Sequence, residues 1–159
     1  MGQSGATGQA APKPTEVFTL HRYFIHANFM RHCFFEKLKV EGASTELALE
    51  PRIFMDSWYA GLYVVIEGWM ELKLTDPSID ELLRSPNVEL LKRYRNGVCH
   101  FQKKYFDSRF MNLIHEKSVV AWLQVLNREF GRFFLEYLRT HDHADLIPPE
   151  LTTEDDSQG

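Results

Sequence analysis

The sequence predicts an all-α fold, an up-and-down bundle of four main helices with one further short helical turn. Apolar residues recur at spacings of three and four over long stretches, and no useful run alternates with period two. Pro14, Pro51, Pro77 and Pro86 fall at the edges of those stretches, where proline starts or stops a helix. No internal repeat is present, so four helices joined by modest loops imply a bundle.

Helix one starts near Thr15, after Pro14, and sets Val17, Leu20, Phe24, Ala27, Phe34 and Leu38 close to one face before Gly42 ends it. Helix two follows Pro51. Phe54, Trp58, Leu62, Val65, Trp69 and Leu72 form its stripe, and Asp76-Pro77 stops it. Ser78 with Glu81 has the spacing of a capping box, which predicts one short turn of helix. Ser85-Pro86 then begins a longer third helix that runs to a break near Asp107-Ser108. A single last helix follows, with Val119, Trp122, Leu123, Leu126, Phe130, Phe133, Phe134 and Tyr137 as a broad apolar face. Residues 1–13 and 147–159 lack the large apolar content of a core and are expected to be disordered tails around one domain, 14–146.

Composition narrows the function classes. A chain of 159 residues is long enough for one self-supporting core. Only two cysteines occur, Cys33 and Cys99, with no CxxC or Cys-His spacing, which excludes a disulfide framework or a zinc site. No stretch reaches the roughly 18 apolar residues of a membrane span. The N-terminus also lacks the basic-then-apolar layout of a signal peptide, so no membrane association and a cytoplasmic location are expected. Twelve Phe, six Tyr and three Trp exceed what one core of this size needs, so some rings are expected at an interface.

Net charge is −4, which argues against indiscriminate binding to nucleic acid. The distribution is uneven, however. From Arg84 to Arg109 seven basic residues face two acidic ones, leaving eleven basic and twenty acidic elsewhere. That asymmetry suits either a phosphate-bearing ligand or a solvated helix face.

The densest chemistry lies in Arg95-Asn96-Gly97-Val98-Cys99-His100. On a helical wheel with Leu91 at zero, Tyr94, Val98, Phe101 and Tyr105 fall within about 80° and define a buried stripe. His100 points outward, Asn96 lies one turn before it on the same face, and Lys92, Arg93, Lys103 and Lys104 flank both. Arg95 sits at the stripe's edge, with a side chain long enough to bend toward the polar face. Gly97 in mid-helix costs about 1 kcal/mol relative to alanine, which calls for a close neighbour or a local distortion. A histidine moves protons near neutral pH, an arginine holds phosphoryl oxygens, and an amide orients either, so metal-free phosphate chemistry is within reach. RNA supplies its own nucleophile, the 2′-hydroxyl. One histidine does half of the acid/base work, and a symmetric dimer would supply two.

Arg95-Asn96-x-x-x-His100 in a helical domain resembles the Arg-x(4–6)-His motif of the HEPN superfamily. These helical-bundle domains are often dimeric, and many act as metal-independent ribonucleases in toxin, defence, stress-response and RNA-processing systems. The resemblance implies catalytic roles for Arg95 and His100, support from Asn96, RNA or phosphate contacts from Lys92, Arg93, Lys103 and Lys104, no cofactor, and a homodimer. An antitoxin or other protein partner belongs to the same expectation. Gln102 stands where one toxin subgroup has tyrosine, so an antitoxin that modifies that tyrosine is not expected. The pattern recurs at its longer spacings in Arg93…His100 and Arg109…His115, and it is Asn96, on the face of His100, that singles out Arg95. The alternative is a non-catalytic helical module that binds RNA, a nucleotide or a protein.

Glu67 interrupts an apolar run on helix two, opposite the Trp58-Leu62-Trp69 stripe. It reads as a partner for Arg95 or an interface acid, or else as a solvated carboxylate. Tyr59, Tyr63 and Met70 beside it suggest a second covered face, such as a dimer contact. No metal site is expected. His21 and His32 stand about 16 Å apart on one helix, and His141-Asp142-His143-Ala144-Asp145 has no second cluster to complete it. Cys99 beside His100 points about 100° away from it, so it reads as a small half-buried residue rather than a nucleophile.

Overall fold

The computed structural model describes residues 11–41, 49–105 and 107–142; of residues 41 and 49 only the backbone is described. Among these residues the secondary structure is entirely helical. The helices are α1 (Pro14–Glu41), α2 (Leu49–Glu71), α3 (Pro77–Leu83), α4 (Asn87–Cys99), α5 (Ser108–Ile114) and α6 (Val119–Thr140). Four are long, as the periodicity predicts, and two have seven residues each. The greater parts of the expected tails, and His143 to Asp145, lie outside the described residues.

The apolar stripes explain how the helices pack. Helices α1 and α2 run antiparallel. At one end Leu20 lies against Gly68, where an added Cβ would come within 2.3 Å of a Leu20 methyl. At the other, Lys37 pairs with Glu50 at 2.5 Å. Helix α6 lies antiparallel to α1, with Phe24 meeting Phe130 and Phe134, and Phe18 meeting Tyr137. It also closes on α2, where the Trp69 ring meets Phe130 and Phe133 edge-on. Such aromatic pairs contribute about 0.5–1.5 kcal/mol each beyond burial. Val17, Trp58, Leu62, Val65, Ile66, Leu91, Leu123, Leu126 and Phe130 are fully buried, so the core is continuous across α1, α2, α4 and α6.

One polar bridge crosses this core. The Trp58 indole N–H donates to Asn127 Oδ1 at 3.2 Å, and Asn127 Nδ2 donates to Asn28 Oδ1 at 2.9 Å. Arg31 Nε donates to the same Asn28 oxygen at 3.0 Å. Three helices are thereby held in one register.

Several local expectations need correction. Asp76, not Ser78, caps α3: its carboxylate accepts from the Ser78 and Ile79 N–H groups, and Pro77 takes the first helical position. Two oxygens and a full charge make aspartate the stronger cap beside a proline start. The single last helix is two, because the chain breaks at His115 to Ser118, where Glu116 accepts from the Ser118 N–H and hydroxyl. The third helix ends at Cys99 rather than running to Asp107. Phe101 and Tyr105 therefore leave the predicted buried stripe and are 91% and 62% exposed. Cys99 is exposed, not half-buried. Tyr59 and Tyr63 are buried, and α4 covers that second face of α2 within the same chain, with the Tyr59 and Tyr94 rings 5.6 Å apart; Met70 stays exposed.

Candidate functional site

The motif falls at the C-terminal end of α4, where the chain leaves the helix. Arg95 and Asn96 are still helical, while His100 has extended backbone angles (φ −126°, ψ 136°) and ends the helix. The relation expected of Asn96 and His100, one helical turn apart, does not hold, because the helix stops between them. Gly97 is buried, and a Cβ there would stand 3.1 Å from the Phe110 ring and 3.4 Å from Arg109 Cβ. The close neighbour that a mid-helix glycine calls for is thus α5. It turns back against α4 through Phe110, whose ring also meets Tyr94 edge-on.

Arg95 turns toward α2. Its Nη2 meets Glu67 Oε2 at 3.4 Å, and its Nη1 donates to Asn96 Oδ1 at 3.1 Å. The two ion-pair side chains are 29% and 44% exposed. Arg95 Nε is buried, with no hydrogen-bond partner among the described residues. Tyr63 lies beside this cluster, and burial, reinforced by the Glu67 and Glu89 carboxylates, raises its phenol above the ordinary range. Arg95, Asn96 and Glu67 therefore form one group, with Glu67 in the place expected of an arginine partner.

His100 belongs to a second group. It lines an open cleft of about 380 Å³ at the junction of α2 and α4, together with Arg52, Asp56, Phe101, Lys104 and Tyr105. Arg95 and Asn96 do not line that cleft. The segment after His100 is tied down by Gln102, whose Nε2 donates to the His100 carbonyl at 2.6 Å while its Oε1 accepts from Arg109 Nη1 at 2.8 Å. Lys103 and Lys104 are exposed on this segment. Lys92 and Arg93 are exposed on α4, with Lys92 4.0 Å from Glu89.

The cleft holds residues that sequence reasoning passed over. Tyr94 donates a short hydrogen bond to Asp56 Oδ1. Asp56 Oδ2 faces Arg52 Nε at 3.9 Å, beyond hydrogen-bonding distance, and the Arg52 guanidinium lies over the Tyr105 and Phe110 rings. Burial raises the Asp56 carboxyl above its ordinary range, against the Tyr94 hydrogen bond and Arg52, which lower it. Burial, and then the nearby carboxylate, push the Tyr94 phenol far up and that of Tyr59 to about 12. Arg52 and Asp56 share a face at a spacing of four, which a sequence shows; their contact with Tyr94, 38 positions from Asp56, it does not.

No family model, no curated protein and no solved structure matches the chain. What the site does rests on its own chemistry. Among the described residues, no group of three His, Cys, Asp or Glu side chains could hold a metal ion, and no helix is long and apolar enough to cross a membrane. His21 packs on the Phe134 ring, and His141 stacks on Tyr137 with centroids 3.8 Å apart.

Proposed function

We propose that this chain is an RNA-binding helical domain of the HEPN type that, paired with a second copy, cleaves single-stranded RNA without a metal. The observation that carries the reading is the surface around His100. Cations (Arg52, Lys104) and exposed rings (Phe101, Tyr105) line one open cleft there, and Lys103 is exposed on the same segment. Positive charge that follows a backbone, with aromatic faces on which bases stack, suits single-stranded nucleic acid. Duplex binding is less well served, because its bases are already stacked on each other.

Arg95 stands ready nearby rather than in the cleft. A partly exposed ion pair such as Arg95–Glu67 contributes about 0–1 kcal/mol, so an arriving phosphate can draw the guanidinium away from Glu67. Cleavage would then use RNA's own nucleophile. One His100 takes the 2′-hydroxyl proton as the 2′-oxygen bonds to phosphorus, and the partner subunit's His100 protonates the 5′-oxygen as its bond to phosphorus breaks. The products are a 2′,3′-cyclic phosphate and a 5′-hydroxyl. A chain that binds RNA without turnover, the second reading, would use the same surface.

End-labelled single-stranded RNA incubated with the protein in EDTA tests the proposal. Cyclic-phosphate products that disappear in His100→Ala support the nuclease. Salt-sensitive binding with no cleavage leaves the RNA-binding module alone. The absence of both binding and cleavage overturns the proposal.

A further inference from the structure

We infer that the cleft between α2 and α4 is a base pocket selective for guanine, with the Asp56 carboxylate as the reading group. This rests on the RNA-binding proposal and adds a base preference to it. The pocket is of a size that small ligands occupy. Its wall is aromatic, formed by Phe101, Tyr105 and Phe110, and Lys104 and Arg52 stand at the same opening for the adjoining phosphate.

Asp56 is the discriminating feature. Its side chain is 24% exposed, so it reaches the cleft while remaining mostly enclosed. Oδ1 is occupied by the Tyr94 hydroxyl, which orients the carboxylate; Oδ2 has no hydrogen bond among the described residues. An ionised carboxylate only accepts. Guanine alone among the four RNA bases presents two adjacent donors, N1–H and the N2 amine, on its Watson–Crick edge. Adenine and cytosine pair one donor with an acceptor, and uracil flanks a single donor with two carbonyls, which a carboxylate repels. Tyr94, fully buried, donates to Oδ1, so Oδ2 is the oxygen presented to the base, and its two lone pairs accept from N1–H and the N2 amine together.

The test uses the full chain and eight-nucleotide 2′-O-methyl RNAs, which lack the nucleophile and so stay intact. Each is oligouridylate with one central guanine, adenine, cytosine, uracil or hypoxanthine, and binding is read by fluorescence anisotropy in EDTA. Guanine should bind roughly tenfold more tightly than adenine, cytosine or uracil, within the discrimination that a two-point base contact provides. Hypoxanthine keeps N1–H but lacks the amine and should fall between. Asp56→Asn keeps an oxygen for Tyr94 but turns a donor toward the base, and should bring the guanine-to-adenine ratio within twofold. Salt-sensitive binding of all five RNAs within twofold of one another would overturn the guanine pocket and leave the RNA reading intact. No binding of any of them would overturn both. The hypoxanthine comparison needs no variant, so the inference can fail even if Asp56→Asn does not fold.

Discussion

Asn127→Ala should destabilise the protein by about 2–3 kcal/mol through an orphaned indole rather than through lost apolar packing. Trp58 is fully buried, and its indole N–H donates to the Asn127 oxygen. Removing that oxygen leaves a buried donor unsatisfied, which costs about 1–3 kcal/mol. The other half of the bridge is worth less, because Asn28 Oδ1 keeps its bond from Arg31 Nε and loses only that from Asn127; an ordinary net hydrogen bond contributes about 0.5–1.5 kcal/mol. For a chain of this size such a loss lowers the melting temperature by roughly 4–12 °C. Urea unfolding followed by far-ultraviolet circular dichroism measures it, with the slope checked for an unchanged denatured state. Asn127→Leu separates the causes. Leucine restores the volume but no acceptor, so it should be no more stable than the alanine variant. A leucine variant within about 0.5 kcal/mol of the native chain would refute the hydrogen-bond argument and show that volume alone matters there.

Glu67→Gln should change stability by less than about 1 kcal/mol, as measured by urea unfolding, because the pair with Arg95 is partly exposed. A larger loss would mean that Glu67 compensates the half-buried Arg95 side chain to a degree its exposure does not suggest. Gly97→Leu should cost about 1–3 kcal/mol by driving the Phe110 ring off α4, whereas Gly97→Ala should fall near neutral, its close contact offset by about 1 kcal/mol of helix propensity; thermal melts of the two compare them directly. Acid should weaken the fold through Asp76 and Glu129. Burial pushes Asp76 upward, but Arg132 and the α3 N–H groups outweigh it, and hydrogen bonding to Arg132 likewise holds Glu129 below the ordinary range. The stability they contribute is complete above the unfolded carboxylate range and is lost as pH falls through their lowered folded values. Asp56 has the opposite sign: raised by burial, its contribution is complete below the unfolded value and is lost as pH rises through the folded one. Urea midpoints across pH should therefore show a shallower acid limb in Arg132→Met, and a native-like acid limb in that variant would refute the assignment.

Helix existence was legible because stripes at spacings of three and four encode burial directly. Val17, Leu20, Trp58, Leu62, Leu91, Leu126 and Phe130, drawn from the four predicted faces, are buried. Helix ends were less legible, for identifiable reasons. The α5–α6 break contains no glycine or proline and is held by Glu116 and Ser118, whose bonds resemble ordinary helix polarity in a sequence. Nor does any breaker mark the end of α4 at Cys99, and a wheel drawn past that point carried Phe101 and Tyr105 into a core they do not join. At the site, the Arg95–Glu67 contact was one of three readings open for Glu67, and the sequence did not choose between it and a solvated carboxylate. The separation of Arg95 from the His100 cleft was not legible, because it depends on where one helix stops. Asp56 with Tyr94 could not be read at all, since only the packing of α4 across α2 brings them together.

That packing has a dynamic consequence. Helix α4 leans mainly on α2 and α5, while α1, α2 and α6 close on one another through the Trp58 bridge and the phenylalanine layer. Helix α4 joins the core through Leu91 and Tyr94, whereas α5 rests mainly on α4, so α5 and the segment that carries His100 form the more lightly held edge. Amide exchange should report two free energies of opening, a higher one for the centre of α2 and a lower one for α5. The segment that carries His100, between α4 and α5, can then loosen while the core behind it stays closed.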